Sequence, residues 1–345
     1  MIHEWLKFDP PEAAKSICEG LRNALVAFKR RGLVVGVSGG IDSSVTLALC
    51  VKAIGAERVV ALLMPERDSA KETLDLSGLV ADTFKVRKFH EDISGILEAV
   101  GFYRRYDEAV CLVIPEYGKG WKSKMVLHSS LQGGQISNFH VVAQAPDGKM
   151  IDTRLPLTAY LEIVAATNFK QRTRKMLEYY YADRFNYAVT GTPNRLEYDQ
   201  GFFVKLGDGA ADVKPIAHLY KTQVYKLAEY LGVPEEVRKR PPTTDTYSLP
   251  QGQDEFYFAL PYDKMDLCLY GKNAGKSPAE VAKEIGLTAE QVTLVYKDID
   301  TKRSTTRYLH LPPLVLGEIK GFPPAHGDGD PPQHCCSPQG DGVKA

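Results

Sequence analysis

Leu33-Val34-Val35-Gly36-Val37-Ser38-Gly39-Gly40-Ile41-Asp42-Ser43-Ser44 is the stretch from which the rest of the chain is read. Leu33 to Val37 is short, apolar and valine-rich, which predicts a buried strand, and Ile41 to Ile54 predicts a largely buried helix. Between them, two glycines let the backbone come close to an anion. Serine hydroxyls and the free N–H groups of a helix start can then surround a pyrophosphate. Asp42 adds a carboxylate at the same place. A carboxylate beside a phosphate is repulsive unless a divalent cation lies between them, so Asp42 predicts Mg²⁺. The competing reading is a plain glycine turn with a Ser/Asp cap.

Ile17, Leu21, Leu25 and Phe28 predict an amphipathic helix over 11–30, ahead of the strand. After the loop, Arg58–Met64 reads as a second buried strand, Ser69–Ala81 as a helix, Phe84–Phe89 as a third strand and Asp92–Val100 as a helix. This alternation predicts an α/β fold, a doubly wound parallel sheet with helices on both faces. From about 101 to 155 the pattern changes: Ala109–Ile114, Met125–Leu127 and Phe139–Ala145 look like short strands between turns, a β-rich insertion. Leu161, Val164, Ala165, Asn168, Arg172 and Met176 then share one helical face. Tyr187–Thr190 returns as a core strand, and Lys221–Leu231 is a helix stopped by Gly232-Val233-Pro234. Residues 1–320 are thus expected to form one interrupted domain. The last 25 residues hold 5 Gly and 5 Pro and predict a disordered tail over 321–345. Cys335, Cys336, His326 and His334 could bind a metal there, but a solvated tail is the simpler reading.

Composition restricts the function. The 345 residues carry 43 Lys+Arg against 43 Asp+Glu, which offers no general field for nucleic acid or anionic lipid. The longest aliphatic run, Val59–Met64, is far shorter than the roughly 20 residues that cross a bilayer, and nothing resembles a secretory signal, so a cytoplasmic protein is expected. The six cysteines include no C-x-x-C pair, which points to free thiols. Two lookalike motifs fall away. Gly271-Lys272-Asn273-Ala274-Gly275-Lys276-Ser277 has one residue too few for a Walker A loop and follows no strand. Gly207-Asp208-Gly209-Ala210-Ala211-Asp212 lacks the third glycine of a dinucleotide fingerprint.

The S-G-G-x-D-S loop resembles that of the N-type ATP pyrophosphatases, whose fold is adenine nucleotide alpha hydrolase-like. Within that group the chain resembles the NAD synthetases. Thr190-Gly191-Thr192-Pro193-Asn194-Arg195-Leu196-Glu197, then Gly201 to Asp212, and then Leu219-Tyr220-Lys221-Thr222-Gln223 recur in the family's order. The resemblance covers about 12–100 and 160–313. It implies the ammonia-dependent, AMP-forming amidation of deamido-NAD to NAD, with ATP as co-substrate and Mg²⁺ as cofactor. It further implies that Asp42 and Glu197 are magnesium ligands and that Ser38, Gly39, Gly40, Ile41, Asp42, Ser43 and Ser44 hold the ATP phosphates. Arg67, Thr192, Lys221 and Thr243 correspond to ATP contacts, and Arg172, Lys205, Asp212 and Lys302 to substrate-binding positions. Lys302-Arg303 aligns with the family's terminal His-Lys-Arg, Thr301 standing where the His belongs. Chemically, Lys221 would neutralise the departing pyrophosphate, and Asp208 is a candidate to take a proton from the incoming ammonia.

About 30 residues precede the first strand, too few for the glutaminase domain of glutamine-using relatives, so ammonia is expected from solution or from a separate glutaminase. The resemblance also implies a homodimer. The segment from Pro241 to Glu255, punctuated by Pro and Gly, is expected to be a mobile loop closing over ATP. Two other readings compete: a related amide synthetase acting on a different carboxylic acid, suggested by the insertion and by Thr301, and a tRNA-thiolating or purely nucleotide-binding relative. The insertion is expected to cover the site, enlarge a dimer contact, dock a glutaminase or merely decorate the surface.

Overall fold

The computed structural model describes residues 2–128, 138–241, 246–252, 257–258 and 260–317. Thr243 and the whole of the expected disordered tail over 321–345, with its Cys/His group, lie outside the described residues. The chain divides into a unit of Met1–His310 and a second of Leu311–Ala345; in the second, Leu311–Gly317 is described and has no helix or strand.

The glycine loop joins β1 (Leu33–Gly36) to α2 (Ile41–Ile54), with α1 (Pro10–Phe28) before them. The next elements are β2 (Val59–Leu63), α3 (Lys71–Thr83), β3 (Arg87–His90), α4 (Ser94–Ala99) and α5 (Phe102–Cys111). β1 pairs in parallel with β2, and β2 with β3. Across the other edge of β1 lies β7 (Ala188–Thr190), reached through α6 (Leu157–Phe185), so the strand order is β3-β2-β1-β7. Side chains alternate across this sheet as the pleat requires. Leu33, Val35, Val59, Ala61 and Leu63 face a core shared with α1, α2 and α8 (Lys221–Leu231). Val34, Val60, Leu62 and Val189 face a second core shared with α5 and α6. Both faces are covered, which makes this the doubly wound α/β sheet expected.

The segment expected to be a β-rich insertion holds a three-stranded antiparallel sheet of β4 (Lys122–His128), β5 (Asn138–Gln144) and β6 (Met150–Arg154). Met125, Val141 and Ala143 are buried in the second core, so the small sheet packs into the main body. Two expectations change here. Ala109–Ile114 is not a strand: Ala109 and Val110 continue the buried face of α5 begun by Phe102, Tyr103 and Tyr106. A short apolar run fits a helix or a strand, and spacing from the preceding aromatics decides for helix. β6 gave no signal because only Ile151 and Thr153 turn inward on it, so its apolar alternation is nearly empty.

α6 forms where a helix was expected but is longer, and its core side is Ala159, Ile163, Ala166 and Thr173. Leu161, Ala165, Arg172 and Met176, from the face read in the sequence, are exposed. The C-terminal part of the unit adds α7 (Arg195–Gln200), α9 (Glu235–Lys239), α10 (Tyr262–Asn273), α11 (Pro278–Ile285) and α12 (Ala289–His310). Leu196, Met265, Cys268, Val281, Val292 and Ile299 build its core. The Walker-like segment is the connection between α10 and α11, where Ser277 caps α11. Cys18, Cys50, Cys111 and Cys268 are free thiols. No described helix is long and apolar enough to cross a membrane.

Candidate active site

The carboxyl ends of β1 and β7 and the helix starts that follow them open onto a cavity of about 830 Å³. In open parallel sheets this is where ligands bind, because the loops diverge and helix N-termini point in. Here α2 presents its positive end through the glycine loop, and Gly40 is its N-cap. Gly39 has φ +71°, and a Cβ on it would lie 2.8 Å from the Thr73 carbonyl, so glycine is required on both counts. The serines of the loop largely hold its own backbone. Ser43 Oγ donates to the Gly40 carbonyl at 3.0 Å and accepts from the Ser38 N–H at 3.2 Å, while the buried Ser44 hydroxyl donates to the same carbonyl at 2.8 Å.

Asp42, in the first turn of α2, is the centre of the charged cluster. Its Oδ2 accepts a hydrogen bond from Lys221 Nζ, and its Oδ1 accepts from Asn194 Nδ2 at 3.2 Å. Lys221 is the first residue of α8 and is 2% exposed. Burial lowers its pKa, but the charges of Asp42 and Glu197 outweigh burial and hold the ammonium above its ordinary value. Asn194 caps α7 and Glu197 closes that capping box, accepting from the Asn194 N–H at 3.1 Å. Glu197 has its pKa pushed up to about 8, first by burial and then by the negative charge of Asp42.

Two repelling carboxylates beside a phosphate-sized loop are the donor set a hard cation would relieve. Mg²⁺ is commonly held by one or two carboxylates completed by substrate phosphates. Among the described residues no group of three or more His, Cys, Asp and Glu could hold a metal alone. Asp42 and Glu197 are the residues here that could hold such a cation beside bound phosphate.

Of the other predicted positions, Thr192, Arg172, Lys205, Asp208 and Lys302 line the cavity. Lys205 Nζ donates to the Tyr308 carbonyl at 2.8 Å and sits over the Tyr308 ring, and Arg172 Nε reaches the Lys205 carbonyl at 3.4 Å. Lys302 Nζ lies 2.6 Å from both Asp298 Oδ2 and the Tyr257 carbonyl. Asp208 accepts from the Val204 N–H at 2.7 Å, and burial raises its pKa. Asp212 and Arg67 are not brought to the cavity. Asp212 Oδ2 accepts from the Val189 N–H at 2.7 Å, tying a loop to β7, and Arg67 lies over the Tyr103 ring and pairs with Asp68. Thr301 is exposed on α12, and its hydroxyl bonds back to the Lys297 carbonyl, so this departure from the family pattern lies off the cavity.

Sequence reasoning missed several groups. Asn194 was within a quoted motif, and its N-x-x-E capping pattern was the available signal. Arg174, Glu178 and Arg240 also line the cavity. Asp266 of α10 is fully buried and accepts from the N–H groups of Lys221 and Thr222 and from the Thr222 hydroxyl at 2.7–3.2 Å. It caps the helix that carries Lys221 from 45 residues away, a pairing no local pattern announces.

A family model described as NAD synthase matches residues 13–113 and 140–307. The NH(3)-dependent NAD(+) synthetase of Rhizobium meliloti (strain 1021) is 57% identical over 315 residues, 91% of this chain and 94% of that one. That of Thermotoga maritima is 36% identical over 255 residues, 74% of this chain and 85% of the relative. Among solved structures, an NMN synthetase from Francisella tularensis aligns with a TM-score of 0.61 at 21% identity, covering 90% of this chain and 99% of its own. An NH3-dependent NAD synthetase from Campylobacter jejuni gives 0.59 at 22%, covering 90% of this chain and all of its own. These two likenesses bear on the fold, whereas the family match and the close relatives extend through the charged cluster: the chain belongs to the NAD synthase family.

Proposed function

We propose that the chain is an ammonia-dependent NAD synthetase, converting deamido-NAD, ATP and ammonia to NAD, AMP and pyrophosphate. The observation that carries this is the Asp42–Lys221–Glu197 cluster, its lysine buried, set against a glycine loop and helix start, within a chain 57% identical to an enzyme of that name. Ammonia cannot displace oxide from a carboxylate. The nicotinate carboxylate therefore attacks the α-phosphorus of ATP and releases pyrophosphate, and the mixed anhydride formed has AMP as its leaving group. Ammonia then adds to the acyl carbon, AMP departs and a proton is lost.

In this reading the backbone of Ser38–Ser44 and the α2 N-terminus hold the phosphates, and Lys221 sets a fixed positive charge where pyrophosphate charge grows. Asp42 and Glu197 would hold Mg²⁺, which when bound screens the phosphate oxygens. Thr192 contacts ATP, Arg172, Lys205 and Lys302 hold deamido-NAD, and Asp208 accepts the proton. Arg67 and Asp212 are left out, since neither lines the cavity. The reading carries with it a homodimer in the cytoplasm, supported by the exposed Leu157, Leu161, Met176 and Tyr180 on one broad face of α6. Free ammonia, or ammonia from a separate glutaminase, is the nitrogen source.

The test is a product assay with deamido-NAD, ATP, Mg²⁺ and ammonium. NAD and AMP should form in equal amounts, and Asp42→Asn should lower turnover at least a hundredfold while ATP affinity changes much less. If no NAD forms while ATP–pyrophosphate exchange depends on another acid, such as nicotinate mononucleotide, the reading fails. Retained turnover in Asp42→Asn would remove the role given to that carboxylate.

A further inference from the structure

The family model leaves residues 114–139 unmatched; this gap contains β4, whereas β5 from His140 onward and β6 fall within the matched residues. Nothing in the amidation chemistry asks for this added strand. Its free edge, however, is where Thr246–Gly252 lies. Leu249 N–H donates to the Ser123 carbonyl at 3.1 Å, Ser123 N–H donates to Ser248 Oγ at 2.9 Å, and the Ser248 hydroxyl returns a bond to the Ser123 carbonyl at 3.3 Å. Gln251, 2% exposed, donates its amide to the Met125 carbonyl, and Lys124 Nζ reaches the Pro250 carbonyl at 3.2 Å. The fully buried Ser123 is itself held, its hydroxyl lying 2.9 Å from those of both Tyr106 and Tyr117.

The segment is gripped at its other end as well. Lys170 Nζ donates to the Thr246 carbonyl at 2.9 Å while paired with Glu66 at 2.6 Å, and Glu66 also accepts from Tyr103 at 3.0 Å. Lys170 and Glu66 are both buried, so releasing Thr246 would leave a buried ammonium donor without one of its acceptors. Between the two grips, Thr246 and Tyr247 line the cavity together with Met125, Leu127 and Phe139 of the small sheet. Ser248 and Gln251 do not line it. A polypeptide stretch without helix or strand would otherwise pay an ordering entropy each time substrate bound; fixing it beforehand leaves that free energy to affinity.

We propose that the small sheet is a positioning element for the substrate cavity: its β4 edge fixes Thr246–Gly252, so that Thr246 and Tyr247 stand as a preformed wall, and Ser248 and Gln251 are positioning residues that act through them. The inference rests on the NAD synthetase reading for its substrates but on hydrogen bonds alone for the docking. It also assigns the insertion a function that surface decoration would not have.

The test compares wild type with the double variant Ser248→Ala, Gln251→Ala and with Ser248→Thr, which keeps the hydroxyl. Amide hydrogen exchange across 246–252 should quicken at least tenfold in the double variant while β1 and β2 stay protected. KM for ATP or deamido-NAD should rise at least fivefold with kcat within twofold, and Ser248→Thr should behave as wild type. Unchanged exchange would overturn the docking claim, and quickened exchange with both KM values within twofold would overturn its catalytic use. If wild type makes no NAD, the functional reading has failed separately. The fivefold criterion is then read on ATP affinity by calorimetry, where no change overturns the positioning role.

Discussion

Asp208 shows how a single residue was legible in type and not in state. The sequence placed a carboxylate in a glycine-rich stretch of a recurrent motif. Only the packed cavity wall raises its pKa, because a charge surrounded by protein loses its water. The folded-state value lies above the ordinary 3.8, so above pH 3.8 the native state retains a proton that the unfolded chain has released. Stability from this group therefore falls as pH rises through that window. Asp208→Asn keeps an acceptor for the Val204 N–H and has no charge to bury. Its unfolding temperature should exceed that of wild type at pH 7 and meet it below pH 4, as scanning calorimetry would read, while turnover drops. A variant less stable than wild type at pH 7 would contradict this assignment.

At the scale of elements, the glycine loop and its flanking strand and helix were legible because three independent patterns coincide: an apolar run of strand length, glycine punctuation and a buried helix. Gly39→Ala tests this local economy. A left-handed alanine costs about 1–2 kcal/mol, and here its Cβ would also meet backbone and side chain of α3 within 3 Å. The variant should melt several degrees lower and lose ATP affinity, since the loop cannot keep its shape; calorimetric unfolding and ATP titration would both show it. The elements misread share one physical reason. Ala109–Ile114 is too short for its period to be resolved, and β6 has almost nothing apolar to bury, so each acquires its identity from neighbours. The Pro241–Glu255 segment was expected to be mobile, yet Thr246–Gly252 is tied to β4 and Lys170 by contacts from residues more than 70 positions away. Residues 242–245 and 253–256 lie outside the described residues.

For the whole molecule, the exposed face of α6 is the testable feature. It carries Leu157, Leu161, Met176 and Tyr180, each more than half exposed, with Arg172 among them at the cavity rim. Light scattering after size exclusion should give the mass of two 38.2 kDa chains, and Leu161→Arg with Met176→Arg should give one, with substrate affinity weakened. A wild-type monomer would exclude the dimer reading.

Local pattern was enough for the parallel sheet, the glycine loop and the chemical types that meet there, because periodicity, glycine and charge are properties that survive without neighbours. Tertiary structure alone decided which of those residues share a cavity. Asp42 and Lys221 are 179 positions apart, yet they meet because β1 and α8 bury their apolar faces in one core, and removal of water there sets the protonation state of Glu197. Asp212 lay in a quoted motif and Arg67 at a position matched to an ATP contact, but packing turned one to the backbone of β7 and the other onto Tyr103. Long-range burial, which no window of sequence contains, made that choice.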